Sequence, residues 1–381
     1  MITKSTITKI KKQIGMAVVV FSIILLFSNH GYPCSTFLLK KGNTLIAGHN
    51  LDMPMHIPGV IVINKRGVLK KGKTWHEILF SNPASTPPLT WVSKYGSISF
   101  NPFCRDFPDG GMNEAGLFIE EMTLTGTRFP EDKSKPNVFM MQWMQYVLDN
   151  LETVDQVIKS TSEIMLDGWA WHFFTADRKG NAAVIEFLDG KTVIYKGKDL
   201  PVTALCNTKY KEEMRNLKVF EGFGGQKSIS LQDRTIPRFV HAAYMLKNYN
   251  PVKESPVDYG FKILDQLNWG GTQWFFLCDL KNLKAYIKTA KSKEIRQVDL
   301  KSFDLSCKTP VKMLDIHADH SGRVEKHFRD YTLGINRGFI IQAFEALNDP
   351  GFNNFIESQG STLEQVIERI ATYSESTTCK K

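Results

Sequence analysis

Cys34-Ser35-Thr36-Phe37-Leu38-Leu39-Lys40-Lys41-Gly42-Asn43-Thr44-Leu45-Ile46-Ala47-Gly48 holds two apolar runs joined by a Gly-Asn pair. This is a β-hairpin signal, because a tight turn needs a residue at ease with positive φ. The spacing predicts strands at 35–40 and 44–48. Further strands are predicted at 59–64, 95–100 and 117–122, with Gly110-Gly111 as a turn before the last. Phe139, Met140, Trp143, Tyr146 and Val147 recur at helical spacing, which predicts a helix at 137–148. Thr153 is a capping residue and opens a second helix at 153–165. Strands return at 171–176, 182–187 and 192–195, and again at 272–279 and 285–289. Helices are predicted at 236–246 and 258–267, with a helical tail at 326–347 and 363–372. Strands with paired helices between them imply one α+β domain, residues 34–381, layered around sheets.

Upstream of the hairpin the chain changes character. Lys4, Lys9, Lys11 and Lys12 precede an apolar run from Ile14 to Phe27. That run is 14 residues, short for a bilayer span and suited to the core of a signal peptide. Residues 1–33 are therefore expected to be a cleaved signal, which would make the protein periplasmic or secreted. An uncleaved membrane anchor is the competing reading. Pro33 is a poor residue on which to end a signal. A cut after Ser28 or Gly31 would leave a short pro-segment for a second step to remove.

Bulk composition narrows the function classes. Hydrophobic residues make up 42% and charged residues 23% of the 381, as in a soluble globular protein. The formal charge is +9, but from Cys34 onward there are 44 basic and 39 acidic residues, or +5. So small a surplus, with no basic run, gives no nucleic-acid footprint. The six cysteines include no CxxC pair, which argues against a zinc ribbon or a thioredoxin-like motif. Disulfides are allowed by export, but sequence does not give their connectivity. His317, Asp319, His320 and His327 lie in a polar stretch without a metal-site pattern and read as a solvated loop. No metal or cofactor is expected.

Cys34 stands where the targeting segment ends and the fold begins. A cysteine at a free amino terminus carries its own base. Its amine has an ordinary pKa of about 7.7–8.0, close to about 8.5 for the thiol. The neutral amine can take the thiol proton directly or through one water. The arrangement exists only once the bond from Pro33 is broken, because an amide nitrogen is no base. Two other readings compete: a buried or disulfide-bonded structural cysteine, and a lipid-modified one on a non-catalytic surface protein. Gly31-Tyr32-Pro33 lacks the small residues of a lipoprotein signal.

The order Cys34-Ser35-Thr36-Phe37, GHNLD (Gly48 to Asp52), DGGMNEAGL (Asp109 to Leu117), LCNT (Leu205 to Thr208) and IPRFVHAAYML (Ile236 to Leu246) resembles the choloylglycine hydrolase family. That family, which includes penicillin V acylases and bile salt hydrolases, belongs to the N-terminal nucleophile hydrolases. The likeness runs from Cys34 to about residue 300 and covers the last 80 residues thinly. It implies a four-layer αββα sandwich with Cys34 at the end of a central strand. It also implies hydrolysis of a linear amide through a thioester on Cys34, with a small-molecule N-acyl amide as substrate. An acyltransferase on the same scaffold is the alternative. The resemblance gives Asp52 the task of holding the terminal amine, Asn207 a place in the oxyanion hole, and Arg238 that of organising the site. It further implies a homo-oligomer, a tetramer or dimer.

Two positions depart from the family pattern. His49 stands where the family has arginine, so its charge near neutral pH would be conditional. Thr123 falls where a further oxyanion or substrate residue is expected, and a hydroxyl donates less firmly than an amide. Trp169 and Trp171, two apart at a predicted strand edge, read either as an acyl-pocket wall or as core. Glu120 and Glu121 are adjacent on a strand and should face opposite sides.

Overall fold

The computed structural model describes residues 34–81, 84–268 and 270–380. The targeting segment expected at 1–33 lies outside the described residues. Among those described, no helix is long and apolar enough to cross a membrane.

The opening hairpin forms as its sequence predicts. Strand Ser35–Lys41 pairs antiparallel with Thr44–Asp52, from Ser35 opposite Asn50 to Lys41 opposite Thr44. Gly42 takes a φ of +58° in the turn, a value that favours glycine. The hairpin lies within a seven-stranded sheet. Its order is Ala204–Leu205, Ser35–Lys41, Thr44–Asp52, Thr272–Asp279, Lys284–Thr289, Arg296–Asp299 and Gly322–Arg323. A nine-stranded antiparallel sheet runs from Lys191–Lys196 through Ala182–Leu188, Trp171–Ala176, Phe118–Thr123 and Gly110–Asn113. It continues through Ser97–Asn101, Val60–Asn64 and Lys312–Asp315 to Arg329–Asp330.

Strand alternation builds the layers. Phe118 and Phe174 of the larger sheet face the smaller sheet, where Phe276 stacks on Phe100 with ring centroids 3.7 Å apart. Their neighbours Ile119 and Phe173 face the other way, onto Trp143 and Val147 of helix Met140–Asn150. Helices Arg238–Asn248 and Pro256–Leu267 cover the outer face of the smaller sheet. The result is a four-layer αββα sandwich. Helices Leu333–Leu347, Pro350–Ser358 and Leu363–Tyr373 put Ile340, Ile356 and Ile370 into the core on the outer face of the larger sheet.

Several local expectations are corrected. Gly110-Gly111 is strand, not turn. A Cβ on Gly110 would sit 1.4 Å from Oε1 of Glu120, so these residues keep a cross-strand contact free rather than reverse the chain. The helix predicted at 137–148 begins at Met140, after Asn137–Phe139 pairs with Met165–Asp167 as a strand. The tail helix starts at Leu333, behind a Thr332 cap, rather than at 326. Helix Trp75–Phe80, with a Thr74/Glu77 capping box, lies between the strands predicted at 59–64 and 95–100, where no element is predicted.

Cys307 and Cys379 form a disulfide across 72 residues. It fastens strand Thr378–Cys379, which pairs with Val68–Lys71, to the body of the fold. The other four cysteines are buried and free. Removing a native disulfide typically costs about 2–5 kcal/mol. Cys379→Ser should therefore lower the thermal midpoint, and a reductant should lower that of the parent to match. Equal midpoints for parent and variant without reductant would show that the bridge contributes nothing.

Candidate active site

Cys34 immediately precedes the first strand and is buried. The hairpin register carries Asp52 back beside it. The Asp52 N–H lies 3.5 Å from Cys34 Sγ, and Sγ lies 4.0 Å from the Asp52 carbonyl oxygen. The Asp52 carboxylate accepts from Thr272 Oγ1, its cross-strand partner, and from Asn50 Nδ2 at 3.2 Å. Burial pushes this carboxyl up to about 7, against the Thr272 hydrogen bond and the Arg238 charge.

Arg238 opens helix Arg238–Asn248 and joins three segments. Its Nη1 donates to the Cys34 carbonyl at 2.8 Å and to Ser35 Oγ. Its Nη2 donates to Asn207 Oδ1 at 3.0 Å. Asn207 follows strand Ala204–Leu205, whose pairing with Thr36 and Phe37 brings it alongside the first strand. With its oxygen held by Arg238, the Asn207 amide points its nitrogen away from the guanidinium. One N–H reaches the Thr123 carbonyl at 2.9 Å. The second is a donor that a developing oxyanion can use.

A cavity of about 150 Å³ opens beside Cys34. Leu51, Ile57, Phe103, Trp169 and Trp171 give it apolar walls. Trp169 and Trp171 meet edge to face at 5.2 Å. Asp109 and Glu121 also reach the cavity, although both are almost fully buried. Burial pushes Asp109 up to about 8 and Glu121 well above the carboxylate range. Asp109 therefore holds its proton at neutral pH, and the charged form of Glu121 is disfavoured. Burial likewise lifts the Cys34 thiol well above its ordinary value. Glu121 and Asp52 add to that rise, which exceeds the lowering by the Asp52 backbone and Arg238. The resting group is a thiol. Arg238 lowers it, as a cation near a thiol does, but is outweighed.

Residues 34–313 match the family described as linear amide C–N hydrolases, choloylglycine hydrolase family. The chain belongs to this family. It is an enzyme, a hydrolase of linear amide C–N bonds. The penicillin V acylase of Pectobacterium atrosepticum is 28% identical over 305 residues, spanning 66% of this chain and 80% of that protein. The solved penicillin V acylase of Agrobacterium tumefaciens shares the fold at a TM-score of 0.66 and 23% identity, covering 78% of this chain and 98% of that one. A conjugated bile acid hydrolase from Clostridium perfringens does so at 0.57 and 17%, covering 74% of this chain and 97% of that one.

Within this choloylglycine hydrolase fold, Cys34, Asp52, Asn207, Arg238 and Thr123 come together. His49 does not join them. It is fully buried between the sheets, with Nδ1 3.3 Å from Glu120 Oε2 and its ring 5.6 Å from that of Phe276. Burial lowers its pKa to about 3, so the imidazole is neutral and its approach to Glu120, whose carboxyl burial raises, is not an ion pair. The conditional charge expected of His49 near neutral pH is therefore corrected. Thr123 lines the cavity, but its carbonyl is what holds Asn207. Glu120 and Glu121 face opposite sides, as adjacent strand residues should. Glu121 and Asp109 were not anticipated as site residues. The signal was an acidic pair inside the otherwise apolar Phe118–Thr123 strand. Among the described residues, no group of three or more His, Cys, Asp or Glu is placed to hold a metal.

Asp109 gives a pH prediction. Its folded pKa of about 8 lies above the ordinary value of about 3.9. The folded state therefore holds a proton that the unfolded state releases. The associated stability is complete below about pH 4 and is lost as pH rises towards about 8. Unfolding of the parent and Asp109→Asn at pH 5 and pH 8 should show the variant gaining relative stability at the higher pH. Parallel stabilities at both pH values would contradict the buried, protonated assignment.

Proposed function

We propose that the protein is an exported cysteine amidase, with Cys34 as nucleophile once residues 1–33 have been removed. The observation that carries this reading is the Arg238 bridge, which ties the Asn207 amide to the backbone of Cys34, a residue that lines an apolar cavity. Export is supported by the signal-like segment and by the Cys307–Cys379 disulfide. Assembly as a tetramer or dimer rests on family resemblance.

In the proposed reaction the freed α-amine takes the thiol proton as Sγ attacks the amide carbon. A C–S bond forms and the carbonyl π electrons move to oxygen, where Asn207 Nδ2 donates. The ammonium, held by Asp52, then passes its proton to the leaving nitrogen as the C–N bond breaks. Water attacks the thioester with the same amine as base, releasing the acid and restoring the thiol. A base is needed because the buried thiol does not ionise unaided.

The relatives' names bear on the acyl group. An apolar cavity of about 150 Å³ is the size that takes a benzene-like ring. An aryl or short alkyl acyl group, such as the phenoxyacetyl of penicillin V, suits it better than a steroid acid. A panel of penicillin V, conjugated bile salts, acyl-homoserine lactones and N-acyl amino acids should rank accordingly.

Cys34→Ala should abolish turnover across that panel while circular dichroism stays unchanged. Retained turnover would remove Cys34 from the mechanism. Asn207→Ala should lower kcat by about 100- to 1000-fold with little change in KM. The mass of the mature chain should begin at a free Cys34. A diacylglyceryl-modified Cys34, or residues retained before it, would defeat the proposed base.

A further inference from the structure

The family match ends at residue 313, yet part of the cavity wall comes from beyond it. Helix Leu333–Leu347 carries Asn336, Ile340, Ala343 and Leu347 at spacings of four, three and four, one continuous stripe. Asn336 Oδ1 accepts from the Arg105 N–H at 2.9 Å. Ile340 packs into the core, and Ala343 and Leu347 line the cavity that holds Cys34.

The partner of this stripe is the segment 102–107. Pro102 and Phe103 line the same cavity. Arg105 donates to Thr377 Oγ1 at 3.1 Å and lies 4.9 Å over the Tyr331 ring. Ser374 Oγ donates to Asp106 at 2.8 Å, and Lys70 pairs with the same carboxylate at 2.8 Å. The Cys307–Cys379 disulfide fastens the end of the chain. The carboxy-terminal unit is thus bonded to one cavity segment and supplies two wall residues itself.

We propose that Ala343 and Leu347 are specificity-determining residues that set the length of the acyl group accepted. The inference rests on the reading that the cavity beside Cys34 receives the acyl part of an amide. Apolar pockets discriminate by methylenes, each worth roughly 10-fold or more in kcat/KM. Ala343→Leu adds three carbons to the wall, and Leu347→Ala removes three.

The test is kcat/KM across one amine acylated with straight chains of increasing length, measured for the parent, Ala343→Leu, Leu347→Ala and Cys34→Ala. Ala343→Leu should lower the ratio of long-chain to short-chain kcat/KM at least 10-fold. Leu347→Ala should raise that ratio and move the optimum to a longer chain. Length ratios equal to the parent's in both variants would overturn the inference. Near-UV circular dichroism checks each fold, and if Ala343→Leu is misfolded, Leu347→Ala decides alone. Activity retained by Cys34→Ala would instead defeat the nucleophile reading, whatever the length ratios do.

Discussion

The guanidinium of Arg238 ties its own helix to two segments that sequence keeps far apart. It holds the Cys34 carbonyl and Ser35 Oγ on the first strand, and Asn207 after a two-residue edge strand. Arginine suits the task because its planar fork presents several donors in fixed directions. A lysine ammonium in its place would give up that geometry. Fixing Asn207 Oδ1 also fixes which way the amide nitrogen points, and hence where a developing charge would find a donor. The larger sheet enters through the Thr123 carbonyl, which takes the other Asn207 bond. The corner is thus made from both sheets and one helix terminus at once.

Around that corner the fold buries groups that would prefer water. Asp52, Asp109, Glu120, Glu121, His49 and the Cys34 thiol are all nearly or fully buried. Burial disfavours the charged form of each: it raises the carboxyls of Asp109, Glu120 and Glu121, leaves Asp52 at about 7 and so part-ionised at neutral pH, and keeps the imidazole neutral. Such a neighbourhood costs stability, a common price of a prepared site. It also shapes the proposed chemistry. A thiol lifted by burial and by the nearby Glu121 and Asp52 is not a standing thiolate, so in the proposed mechanism its proton would go to the amine that processing exposes.

Much of this was legible in the sequence. Two-fold alternation and the Gly-Asn turn predict the hairpin, but its second strand, expected to end at Gly48, runs on to Asp52 and so carries that residue back beside Cys34. Asp52, Asn207 and Arg238 came from the family resemblance, since no local spacing links them to Cys34. The side of the strand taken by His49 follows from its place three positions before Asp52, an odd offset that sends the two side chains to opposite faces. Gly110-Gly111 misled because glycine pairs signal turns, whereas here a carboxylate from the next strand occupies the space of a Cβ. The contribution of the tail was invisible. Its stripe of Asn336, Ile340, Ala343 and Leu347 shows a buried face but not what that face meets.

The proposed account turns on a covalent bond to one sulfur. Rapid-quench mass spectrometry of the mature protein turning over a slow N-acyl substrate tests it most directly. The account predicts a peptide beginning at Cys34 that carries the added mass of the acyl group, labile to hydroxylamine as a thioester is. An acyl adduct on a different residue, or steady turnover with no adduct on Cys34 at any quench time, would contradict it.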